Sequence, residues 1–143
     1  MLKEKLIFGL TVAGFLPFLL GAFFSFKGIE TLPLLGSLDK VFYSYALVIA
    51  SFMCGVHWGN AIMLEGRQAI KLLLSSNVLI LCAWFSYLLF TTHVLTLILC
   101  VVFLTLLCVD YFLYKENVFA KSYFKLRLCV TFLVVFTLVL ALV

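Results

Sequence analysis

Charge is scarce in this sequence. Asp, Glu, Lys and Arg supply 11% of its 143 residues, whereas 66% are hydrophobic. A soluble domain of this length cannot hide so much apolar side chain, because its surface is large for its volume. Composition therefore excludes an ordinary water-soluble fold and points to a chain solvated by lipid. No block of basic residues interleaved with aromatics occurs, which argues against nucleic-acid binding. The 16 phenylalanines are instead spread through the apolar runs.

Chemical motifs are missing too. There is no nucleophile elbow, no phosphate-cradling glycine loop and no H-E-x-x-H. The five cysteines (Cys54, Cys82, Cys100, Cys108 and Cys129) form no C-x-x-C pair and lie inside apolar runs, so neither a disulfide nor a structural zinc site is expected. The two histidines, His57 and His93, are expected at opposite sides of a membrane, where they cannot ligate one haem together. No metal or cofactor is predicted, although a quinone, a lipid or a single-histidine haem stays open. A Cys54–His57 pair at helical i, i+3 spacing is conceivable, but an apolar setting disfavours the thiolate. The chain has no internal repeat, which speaks against a transporter built from inverted halves.

What is present is a set of long apolar runs. Five transmembrane spans are expected at about 6–26, 41–64, 70–90, 94–114 and 123–143, giving one all-α transmembrane domain over 1–143. The first run is too long for a signal-peptide core and no Ala-x-Ala site follows, so it reads as a retained span. The longest connection, 27–40, carries Leu32, Leu34 and Leu35 and is expected to lie on the membrane surface. Ser37 is a candidate N-cap for span 2.

Gly9, Ala13, Pro17 and Gly21 recur every fourth residue in span 1, and Ser51, Gly55 and Gly59 do so in span 2. Such small-residue ridges let helices approach closely, and these two are expected to pack together. Pro17 is expected to kink span 1. His57 points away from the span 2 ridge, on the side of Ala50, Cys54 and Ala61, so both sides of span 2 read as contact faces.

Lysine and arginine set the orientation. Eight (Lys3, Lys5, Arg67, Lys71, Lys115, Lys121, Lys125, Arg127) fall on one side of a five-span chain and two (Lys27, Lys40) on the other. The N-terminus is expected in the cytoplasm and the C-terminus outside. His57 then lies about eight residues, roughly 12 Å, from the inner end of span 2. Asn60, Asn77, Asp110 and Arg127 fall in the same leaflet. Ionisable groups at such depth are costly unless paired and mark a candidate functional site. Trp58, Trp84 and Tyr123 are candidate pocket aromatics.

Two readings of this cluster follow. In one, Asp110 and Arg127 form a buried pair that ties span 4 to span 5, and His57 is satisfied by a neighbouring span. In the other, His57, Asp110 and Arg127 line a pocket for a lipid headgroup, a quinone or protons. Arg127 also has the option of snorkelling to the surface.

The motifs Gly14-Phe-Leu-Pro-Phe18, Tyr45-Ala46, Ser51-Phe52, Gly55-Val-His-Trp-Gly59, Ala83-Trp84, Asp110 and Tyr123 with Leu126-Arg127 resemble the DUF3429 family over nearly the whole chain. That family includes bacterial inner-membrane proteins and the mitochondrial transmembrane protein 69. One departure is Asn77-Val78, which stands where a proline tends to precede the Leu-x-Ala-Trp stretch, and it bears on any kink in span 3. The resemblance implies a five-span inner-membrane protein, bacterial rather than mitochondrial on the composition of its N-terminus. It marks His57, Trp58, Asp110 and Arg127 as motif positions and brings no activity. The expected role is a non-enzymatic accessory or assembly factor, in contact with lipid and either a larger membrane complex or further copies of itself. The alternative is a ligand-binding or proton-transfer protein acting through the cluster.

Overall fold

In the computed structural model, which describes residues 2–142, five long helices account for most of the chain. They are α1 (Leu2–Phe26), α2 (Leu38–Met63), α3 (Gly66–Leu89), α4 (Thr92–Lys115) and α5 (Lys121–Leu140). All five are long and apolar enough to cross a membrane. At a rise of about 1.5 Å per residue, even the 20-residue α5 reaches about 30 Å, the thickness of a hydrocarbon layer.

Several helices begin before the apolar runs do. α1 starts at Leu2 rather than Leu6, α2 at Leu38 rather than Val41, and α5 at Lys121 rather than Tyr123. Hydropathy marks where a chain is apolar, but a helix extends as far as its backbone bonds continue. α5 ends at Leu140. Met1 and Val143, the limits of the expected domain, lie outside the described residues.

The connections are short and locally specified. α1 ends in a Schellman arrangement: Ile29 N–H bonds the Phe24 carbonyl at 3.0 Å and Gly28 N–H bonds that of Ser25 at 2.9 Å. Gly28 takes the left-handed conformation this requires, at φ 69°. α4 ends the same way, with Asn117 at φ 58° in the left-handed position and Val118 N–H on the Leu113 carbonyl. The 27–40 connection carries a small antiparallel ladder that the sequence does not announce, β1 (Thr31–Leu32) on β2 (Gly36–Ser37). Its tip exposes Leu34 and Leu35. Ser37 occupies the N-cap position of α2, but its hydroxyl makes no capping bond. The first N–H of the helix, that of Leu38, donates instead to the Glu30 carbonyl just before the ladder, at 2.9 Å.

α1 packs on α2 and α5, α2 on α3, α3 on α4, and α4 on α5. The chain thus closes into a ring in sequence order, with α2 also touching α4 through the middle. Phe18 anchors α1 in the core. Its fully buried ring meets Phe42 and Phe103 edge-on, at centroid distances of 5.9 and 6.2 Å. α1 remains helical through Pro17. Polar ties reinforce the packing: Tyr45 Oη donates to the Gly14 carbonyl at 2.8 Å, and Tyr43 Oη lies 2.7 Å from Thr96 Oγ1. Because Thr96 spends its proton on the Thr92 carbonyl, Tyr43 is the donor to Thr96.

The two small-residue ridges do not pack together. Of the α1 ridge only Gly21 sits at a close approach, where an added Cβ would run into the Phe42 ring. Gly9, Ala13 and Pro17 are exposed. On α2, Ser51, Gly55 and Gly59 all face outward, and nothing lies within 4 Å of a Cβ built at either glycine. The physical reason lies on the opposite side of α2. Ala50, Cys54, His57 and Ala61 turn inward there, and burying His57 with its partners orients the helix. A helix cannot bury both sides of itself in a ring this thin.

Candidate functional site

His57, Asp110 and Arg127 come from three helices and meet at one point inside the ring. His57 Nε2 lies 2.8 Å from Asp110 Oδ1, and Arg127 Nε donates to Asp110 Oδ2 at 2.8 Å. The residues are 1%, 1% and 6% exposed respectively, so the cluster is sealed on all sides. Arg127 therefore turns inward to a partner and does not snorkel.

The hydrogen-bond roles follow from the donor inventory. A carboxylate only accepts, so His57 donates to Asp110 through Nε2–H. Nε and Nη2 form one edge of a guanidinium, which is able to grip a carboxylate with two parallel bonds. Here His57 occupies Oδ1. Arg127 makes a single bond to the carboxylate, through Nε to Oδ2, and Nη2 finds no partner among the described residues. Two further buried atoms share that condition, His57 Nδ1 and Thr131 Oγ1. Thr131 was not part of the sequence-derived cluster. The signal was present in its spacing, since it follows Arg127 by one helical turn on the same face of α5.

The other expected members lie apart from this trio. Asn60 and Asn77 return their side-chain amides to their own helices, donating to the Val56 and Leu73 carbonyls at 2.8 Å each. An amide that bonds the carbonyl four residues back needs no neighbour. Trp58 and Trp84 are exposed at the outer surface of the ring. Tyr123 is half-buried one turn before Arg127, with its ring edge-on to Phe119 at 4.8 Å. Cys54 belongs to the apolar core, and the His57 nitrogen that a Cys–His pair would need for activation is committed to Asp110 or lacks a partner.

A family model for a protein of unknown function, DUF3429, matches residues 3–143. The chain belongs to the DUF3429 family. No curated protein and no solved structure matches it. Family membership covers the whole of the helical ring and assigns no chemistry to it. In this DUF3429 chain the trio lies at the crossing of α2, α4 and α5, and α2 and α4 are the two helices that meet through the middle.

An apolar layer of Ala61, Leu72 and Leu113 packs one turn from His57 and Asp110, toward the α2–α3 turn. Beyond it a cleft of about 370 Å³ opens between the ends of α2 and α4 and the start of α3. Sequence reasoning missed this cleft, because its walls come from three helix ends that only the fold brings together.

Proposed function

We propose that this protein is a multi-pass membrane protein that serves as a non-enzymatic accessory or assembly factor of a larger membrane complex. What carries the reading is the outward α2 face. Ser51, Gly55 and Gly59 form a shallow groove there with no helix of the chain upon it. Such ridges are how membrane helices dock on one another. The interior trio is then a clamp that holds α2, α4 and α5, so that α2 presents this face at a fixed angle. The apolar outer surface, with Phe52, Trp84, Phe112 and Phe136 exposed, suits lipid contact. The lysine and arginine distribution favours a cytoplasmic N-terminus and an external C-terminus, in a bacterial inner membrane. Native mass spectrometry after extraction in mild detergent tests the role. A stoichiometric protein subunit is expected, lost in Gly55→Leu, and a lone monomer contradicts the reading.

A second reading, proton transfer or ligand binding through the cluster, is favoured by one observation: His57 Nδ1, in a ring braced by a buried carboxylate, has no hydrogen-bond partner among the described residues. An imidazole braced by Asp110 is able to take up a proton there. The sealed setting suits a proton better than a headgroup or quinone. His57→Leu separates the readings. It abolishes proton movement in reconstituted vesicles under this reading and leaves subunit retention unchanged under the first.

A further inference from the structure

The cleft at the α2–α3 end of the ring is a separate feature from the trio. Its floor and walls are apolar, formed by Leu72, Leu113 and Phe112 among others. Its volume of about 370 Å³ falls in the range of small-molecule sites. Four polar chains line it: Gln68, Lys71 and Ser75 on α3, and Glu116 immediately after α4. Lys71 and Glu116 are the charged pair of the lining, one of each sign, and they do not neutralise one another. Neither side chain has a hydrogen-bond or ion-pair partner among the described residues. The Schellman end of α4 sets the backbone at Glu116 and packs Val118 against Leu113.

An apolar cleft at the end of a membrane-length bundle, offering one cation and one anion on different walls, complements a zwitterion attached to hydrocarbon. We propose that the cleft binds the headgroup of a phospholipid bearing a primary ammonium. Lys71 donates to its phosphate, and Glu116 accepts from its ammonium. Phe112, which lines the cleft and is also exposed on the outside of α4, leads the acyl chains onto the apolar surface. A primary ammonium donates hydrogen bonds and a quaternary one does not, so Glu116 distinguishes ethanolamine from choline headgroups. A glycerol headgroup leaves Glu116 without a counter-charge. This inference is independent of the accessory role.

The test is delipidated full-length protein titrated in mixed micelles with dioleoyl phosphatidylethanolamine, phosphatidylcholine or phosphatidylglycerol, read by native mass spectrometry. The ethanolamine lipid is expected to bind at least about tenfold tighter than the other two, one charge-assisted hydrogen bond's worth. Glu116→Gln is expected to erase that preference, and Lys71→Gln to weaken all three lipids. Both side chains are exposed, so these variants keep the fold, which circular dichroism checks. Equal binding of the three lipids by the native sequence overturns the proposal. So does an ethanolamine preference that survives Glu116→Gln, or binding insensitive to Lys71→Gln.

Discussion

Arg127 holds Asp110 through Nε alone, on Oδ2, while His57 donates to Oδ1 of the same carboxylate. Both contacts are 2.8 Å, and both lie in the interior of the ring. The arrangement ties three helices through a single carboxylate. It also ranks the members: Asp110 is the hub, and His57 is the partner whose place Arg127 is able to take.

That ranking is measurable. Asp110→Asn strands the Arg127 charge inside the ring and is expected to cost about 3–5 kcal/mol, the usual penalty for breaking a buried pair. His57→Leu keeps the volume apolar and frees Oδ1 for Arg127 Nη2, so its cost is expected near 1 kcal/mol. Reversible unfolding of both variants in the same detergent checks the order. A larger loss for His57→Leu than for Asp110→Asn contradicts the hub assignment.

Thr131 carries a buried hydroxyl without a hydrogen-bond partner among the described residues. Thr131→Val replaces it with a methyl of similar shape and removes a desolvated polar atom. The variant is expected to be as stable as the native chain or up to about 1–2 kcal/mol more stable. A melting temperature well below native shows that the hydroxyl is engaged in the folded protein.

The glycines divide into two classes. Gly21→Ala drives a Cβ into the Phe42 ring and is expected to cost about 1–3 kcal/mol. Gly55→Ala and Gly59→Ala project into open space and are expected to stabilise the monomer slightly, since alanine favours a helix by about 1 kcal/mol over glycine. Thermal unfolding of the three variants in detergent checks the division.

The sequence made the helices legible because apolar runs of this length have few other readings. It also made the trio legible: His57, Asp110 and Arg127 are ionisable residues at matching depth in runs that otherwise exclude charge. It did not show which face of α2 turns inward. Both faces carry small residues, and the choice depends on where Asp110 and Arg127 stand in three dimensions. Nor did it show that Asn60 and Asn77 bond within their own helices, since depth alone does not separate a neighbour from a bystander. The β1–β2 ladder escaped because two-residue strands leave no periodic pattern.

The most direct test of the account replaces the whole trio at once, with His57→Leu, Asp110→Leu and Arg127→Leu in one chain. Its stability and its bound subunit are read together, by unfolding in detergent and native mass spectrometry. If the trio is a clamp serving the outward α2 face, an apolar clamp substitutes for a polar one, and the triple variant is expected to fold and keep its subunit. A triple variant that folds as stably as the native protein but loses its subunit contradicts the account, and makes the trio itself the working site.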